Sequence, residues 1–186
     1  MIDRILRAIR LDWTVFREIA EDQSALTEAA IIVAVVTFLS GIGTFIGALI
    51  ADNSFGSAFL EFLNTWLIYG ILLGWIVWAV LTYFIGTTLY QGKTDIPEML
   101  RVLGYANAPN LLGIFGFIPC VGWLIALAGA ILALIAGVIA VREAMEFDTT
   151  KAIITVVVSW VIAFVLRWIV GAILGLGTAM TAGIFG

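Results

Sequence analysis

R-V-L-G-Y-A-N-A-P-N-L-L-G-I-F-G-F-I-P-C-V-G-W (residues 101–123) is followed by an apolar run to Val141 and then by R-E-A-M-E-F-D-T-T-K (142–151). A polar, proline-broken hydrophobic segment thus passes through a tight turn into a long uninterrupted one, which ends on a charged loop that opens another. This is the pattern of a chain threading a bilayer. Composition agrees: of 186 residues 63% are hydrophobic and only 12% charged, with mean hydropathy +1.16. That is more apolar surface than a water-soluble domain of this length can bury.

Working outward from this stretch, apolar segments at 29–50, 58–90, 102–118, 123–141 and 152–176 meet the requirement of roughly 20 residues to cross the hydrocarbon core. The second is longer than required and is expected to tilt or project. The third is short, carries Asn107 and Asn110, and is broken by Pro109. Charge decides whether it crosses. Arg4, Arg7, Arg10 and Arg17 precede the first span, Lys93 and Arg101 lie between the second and third, and Arg142 and Lys151 lie between the fourth and fifth. The connections 51–57 and 119–122 hold no Lys or Arg. Only five crossings put every basic loop on one side, the cytoplasmic one. The expected fold is an all-α integral membrane protein, a five-transmembrane-helix bundle with its N-terminus inside and its C-terminus outside. Asp95, Pro97 and Glu98 suit a helix first turn, so a short cytoplasmic helix is expected to lead into the third span.

Residues 1–28 read as an N-terminal amphipathic interfacial segment and 29–186 as the membrane domain. Ile2, Ile5, Leu6, Ile9, Trp13 and Phe16 share one helical face, and Arg4, Arg7 and Arg10 the other. Two placements fit: in the headgroup region with the arginines toward anionic lipid, or against the protein's own inner face. Asp22 or Ser24 suits the cap of the next helix. With charge through the first 28 residues, no cleavable signal peptide is expected.

The formal charge of −4 and pI near 4.6 argue against a nucleic-acid partner. With no histidine and a single cysteine, there is no intrachain disulfide, no imidazole or thiolate metal cluster and no histidine base. No cofactor is expected. Cys120 is placed in the outer turn between the third and fourth spans, where it is dispensable.

Small residues recur four apart at Gly43 and Gly47, Gly70 and Gly74, and Gly171 and Gly175. Such pairs let helix backbones approach closely, within one chain or between copies. Glu61 and Arg167 are ionisable residues inside the hydrocarbon zone, where a central charge costs about 2.5 to 3.5 kcal/mol on insertion scales. Counting about 1.5 Å per residue from the membrane faces puts both within about 10 Å of the outer surface. Matched depth suggests an ion pair latching the second span to the fifth, with Asn64 one turn from Glu61. An ion or polar-substrate site, or separate snorkelling, are the alternatives. At the second polar cluster, Pro109 frees the Tyr105 carbonyl, which Asn107 or Asn110 is placed to satisfy. That arrangement serves a structural kink or a transporter-like site. Trp66, Trp123 and Trp168 fall near the outer boundary and Tyr83 and Tyr90 near the inner one. Trp75 and Trp78 are deeper and are expected between helices.

The chain resembles the Yip1 family of multi-spanning membrane proteins, of the prokaryotic type. The resemblance rests on the Gly-Tyr pair before a proline at the head of the third span, here Gly104, Tyr105 and Pro109, and on E-I-A-E-D-Q-S-A-L-T-E-A at 18–29. It implies a five-span fold and no transferable active site. Eukaryotic relatives are associated with vesicle traffic and small GTPases but carry a long cytosolic N-terminal domain with no counterpart in these residues, so no GTPase partner is expected. The expected function is a non-enzymatic integral membrane scaffold that binds protein partners or organises membrane, in the cell membrane of a prokaryote. The alternative is a small oligomeric channel or carrier with a polar path through Glu61, Arg167, Asn107 and Asn110. The partners implied are the lipid bilayer and a second copy or another membrane protein.

Overall fold

A computed structural model describes residues 1–51, 53–118 and 121–185; the side chains of 113, 116, 117 and 174–185 fall outside it, as does Cys120. Every element among the described residues is helical: α1 (Ile2–Ile9), α2 (Trp13–Glu21), α3 (Ala25–Ile50), α4 (Phe55–Tyr90), α5 (Ile96–Ala106), a 3-10 segment (Ala108–Phe117), α6 (Gly122–Ala144) and α7 (Thr149–Phe185). Four of these helices, α3, α4, α6 and α7, are long and apolar enough to cross a membrane. Between α4 and α6, α5 and the 3-10 segment run antiparallel to α6: an added Cβ at Gly137 would meet Leu103, and one at Gly129 would meet Leu112.

The N-terminal segment is two helices rather than one. Leu11 takes a left-handed conformation (φ 61°) and Asp12 caps α2, its Oδ1 accepting the Thr14 N–H at 3.0 Å. This turn folds α2 back under the bundle, where Val15, Phe16 and Ile19 are fully buried. Asp95 caps α5 in the same way, accepting the Glu98 N–H at 2.7 Å, and α5 continues into the broken segment as one path.

The structure divides the bundle into a dense end and a loose end. Tyr105, Phe16, Ile19, Met99, Leu103 and Met145 are the largest fully buried side chains, and all lie at the end that carries α1 and α2. There Arg17 reaches Glu143 at 2.8 Å and Arg101 donates to the Ala20 carbonyl at 2.7 Å. Toward the other end the buried residues of α3 and α6 are small: Gly41, Gly43, Ala48, Gly122 and Gly129.

Small residues set the packing, though not only those that the glycine spacing singled out. The face of α6 formed by Gly129, Ala133, Ala136, Gly137, Ala140 and Ala144 is buried, and a Cβ at Gly129 would lie 2.8 Å from the Pro109 carbonyl oxygen. Gly70 meets α3, where a Cβ would come within 2.6 Å of Thr37. Gly43 is buried, while Gly47 faces open space. Gly171 packs toward the Tyr69 hydroxyl, and the surroundings of Gly175 fall outside the described side chains.

Residues Asn64–Val77 of α4 are wound as a π-helix. Gly70 and Gly74 fit this winding, because a Cβ on either would crowd the carbonyl five residues earlier: Thr65 at 3.0 Å and Tyr69 at 2.7 Å.

At Gly104 an added Cβ would sit 2.6 Å from the Ala29 Cβ. Gly104→Ala is therefore expected to cost about 1–3 kcal/mol by overpacking. In Ala29→Gly/Gly104→Ala most of that loss should return, read as the unfolding midpoint in detergent. Equal loss in the single and double variants would place the strain elsewhere.

Candidate functional site

Two polar regions stand out, one at the dense end and one inside the bundle. The first is built on Arg4. Its Nε lies 2.8 Å from Glu18, and Nη1 lies 2.8 Å from Asp22 and 3.6 Å from Glu28. The Tyr105 hydroxyl donates to Glu28. Arg7 reaches Asp12 and Glu18, each at 3.0 Å. Arg4 and Arg7 thus face the carboxylates of their own chain, the geometry expected of the second placement, against the protein's own inner face. Ile2, Leu6 and Trp13 remain exposed on the opposite side. The motif stretch 18–29 and the pair Gly104–Tyr105 meet here, so the resemblance motifs form one structural joint.

The second region is a half-open hollow of about 400 Å³ bordered by α3, α4, the Asn107–Asn110 break, α6 and α7, with exposed Trp160, Phe164 and Arg167 on its α7 side. Its polar lining includes Thr37, Ser40, Thr65, Asn107, Asn110 and Arg167. Asn107 is buried, and its Nδ2 donates to the Leu103 carbonyl at 3.0 Å, with Asn110 Nδ2 donating to Asn107 Oδ1 at 2.9 Å. The carbonyl satisfied by an asparagine is therefore that of Leu103 and not that of Tyr105, because the chain leaves the α-helical path at Asn107 itself, whose N–H bonds the Gly104 carbonyl.

Glu61 and Arg167 are not brought together. Glu61 is exposed and forms no ion pair among the described residues, whereas the Arg167 guanidinium lies over the Tyr69 ring, 5.5 Å from its centroid. Helix register explains the failure. The Thr82 hydroxyl donates to Ser159 at 2.9 Å, a Cβ at Gly86 would meet Thr155, and one at Gly74 would lie 3.7 Å from Arg167. In this antiparallel register Arg167 stands opposite Gly74, thirteen residues along α4 from Glu61. Counting depth separately from each membrane face misses such an offset. Asn64, at the start of the π segment, is half-buried.

Of the deep tryptophans, Trp75 and Trp78 do pack between helices. Trp75 Nε1 donates to the Leu100 carbonyl at 2.9 Å, but the buried Trp78 Nε1 has no acceptor among the described residues. Trp78 lines the cavity. Sequence reasoning gave it only a packing role, and nothing local in the sequence marks its N–H as unpaired. Among the described residues no group of His, Cys, Asp or Glu is placed to hold a metal ion.

Two tests follow from this geometry. The Arg4 guanidinium, then Arg7, holds the Glu18 carboxyl below its ordinary range, while the Ser24 hydroxyl and then Arg4 lower Asp22 to about 2. Folded-state values depressed in this way give stability that is present above the unfolded value of about 4 and is lost as pH falls through the folded value. Burial raises Glu98 and so acts in the opposite sense. Unfolding in detergent is expected to ease as pH drops from about 4 toward 2, with a shallower dependence in Arg4→Gln. In a Glu61→Gln/Arg167→Gln cycle the two effects should add to within about 0.5 kcal/mol; larger coupling would restore the latch.

No curated protein and no solved structure matches the chain. A family model described as the Yip1 domain matches residues 14–181, taking in α2, every apolar helix and both motif segments, and so the chain belongs to the Yip1 family of membrane proteins.

Proposed function

We propose that this protein is a non-enzymatic membrane scaffold that crosses the bilayer five times, N-terminus in the cytoplasm and C-terminus outside, and binds protein partners or organises membrane through its outer surface. On the resemblance to the prokaryotic type, the membrane is the cell membrane of a prokaryote. The observation that carries the reading is where the polar groups are used. Arg4, Arg7, Glu18, Asp22, Glu28 and Tyr105 hold the dense end together, Thr82 bonds Ser159 between α4 and α7, and Asn107 bonds its own backbone. What is left facing outward is chiefly apolar, including Trp160, Phe164, Val165 and Trp168 on α7.

The fifth crossing is supported by the path of 96–117 along α6 and by the gathering of the basic loops at one end. Against a channel stands the packing beneath the cavity: Leu103 and Tyr105 are fully buried and Trp78 is 6% exposed. Among the described residues these apolar and aromatic side chains pack where a polar path would have to continue.

Proteoliposomes carrying single cysteines at Asn53 or Lys93, in a Cys120→Ser background, test both parts. The two sites should label from opposite sides and the vesicles should conduct no ions. Same-side labelling would remove the five-span reading, and a conductance altered by Asn110→Leu would replace the scaffold with the channel.

A further inference from the structure

The cavity carries a cation with no counter-ion among the described residues. Arg167 presents five N–H groups and forms neither an ion pair nor a hydrogen bond among the described residues, its one specific contact being the face of Tyr69. Trp78 lines the cavity as well, through its ring, while its N–H is buried away from accessible space. The Thr37 and Ser40 hydroxyls donate to the backbone carbonyls of Val33 and Val36, leaving their lone pairs but removing their protons from use. Asn110 spends an N–H on Asn107. Among the described residues no Asp or Glu lines the cavity, and the formal charge on its lining is the positive one of Arg167.

Arg167 is also accessible. A second hollow of about 530 Å³ adjoins the first, shares Tyr69, Phe164 and Arg167 with it, and is otherwise lined by Trp168, Gly171 and Ala172 of α7. It lies between α4 and α7, along the apolar α7 surface. Gly171 narrows nothing here; a Cβ in its place would stand 3.0 Å from the Tyr69 hydroxyl.

The geometry points to a binding site for a carboxylate or phosphate oxyanion at Arg167, the anionic head of an acyl amphiphile that enters sideways between α4 and α7. A guanidinium fork matches two oxygens of such a group. The head has the acceptors that Arg167 lacks, and the chain of an amphiphile finds apolar wall along Phe164, Trp168 and Ala172. A neutral polar solute would leave the charge uncompensated, and a cation would be repelled.

Trp78 and Trp160 line the cavity and supply the readout. Intact protein in phosphatidylcholine nanodiscs is titrated at alkaline pH with a bromine-labelled stearate, whose bromines quench tryptophan. The expected result is saturable quenching, with affinity lower by about tenfold or more in Arg167→Gln and for the uncharged methyl ester, and partly kept in Arg167→Lys. Equal affinity for acid and ester, or no loss in Arg167→Gln, overturns the site. Inorganic phosphate added to the complex separates the sources. Failure to displace the stearate supports a lipid ligand, while displacement keeps the oxyanion site and overturns the sideways lipid entry. Ser40→Leu, which fills the cavity without touching the charge, serves if Arg167→Gln does not fold. Its unchanged affinity for the acid would likewise overturn the proposal.

Discussion

The contact between Gly104 and Ala29 governs the dense end of the bundle. With no side chain at 104, α5 lies against the first turns of α3 closely enough for the Tyr105 hydroxyl to reach Glu28. Glu28 in turn faces Arg4, and Arg4 holds Glu18 and Asp22. Three stretches far apart in sequence are tied at one point. A hydrogen-bonded ion cluster of this kind contributes little where it is exposed, since surface pairs are worth about 0–1 kcal/mol. Its larger effect is positional: it fixes α1 and α2 over the apolar residues that they cover.

The same close packing accounts for the loose end. Small side chains on α6 bring the 3-10 segment inward at Pro109 and Leu112, but the segment is not an α-helix and cannot fill the space that a regular helix would. Among the described residues the largest fully buried side chains, Tyr105 and Leu103 among them, lie at the dense end, and Leu73, Trp75 and Trp78 are the large buried ones of α4. Toward the loose end the helices are held apart by their own backbone geometry, and the cavity occupies the difference. The register set by Thr82, Ser159, Gly86 and Thr155 brings Arg167 opposite Gly74 and over the Tyr69 ring, at the open side of the cavity.

Much of this was legible in the sequence. Runs of about 20 apolar residues mark helices because lipid leaves the backbone no other way to satisfy its hydrogen bonds, and α3, α4, α6 and α7 fall where the runs do. The grouping of basic loops at one end followed from their charge alone. The relations between helices were not legible. The break at Leu11 has no glycine or proline to announce it, only Asp12 standing as a cap before Trp13. The small face of α6 is largely alanine and escapes a search for paired glycines. The direction of Arg4 and Arg7 depends on carboxylates that become neighbours only once α2 has folded back. The supposed partnership of Glu61 with Arg167 failed on register, which a residue count along each helix separately does not contain.

Both irregular stretches of backbone face the cavity, and the reason lies in the solvent. A π-helix and a broken 3-10 segment offer poorer hydrogen-bond geometry than an α-helix, and in lipid a carbonyl left without a donor costs several kcal/mol. Irregular backbone is therefore tolerated where protein or an enclosed polar space surrounds it. In α4 the widened turn carries the Thr65 and Tyr69 carbonyls under Gly70 and Gly74, where any side chain would collide with them. Across the cavity Asn107 and Asn110 supply amide groups to the break that Pro109 sustains. A side chain at Gly74 would collide with the Tyr69 carbonyl oxygen, 2.7 Å from its Cβ, and stand 3.7 Å from Arg167. The glycines of α4 thus have a task beyond helix packing: they leave room for the Thr65 and Tyr69 carbonyls of the widened turn, next to Arg167.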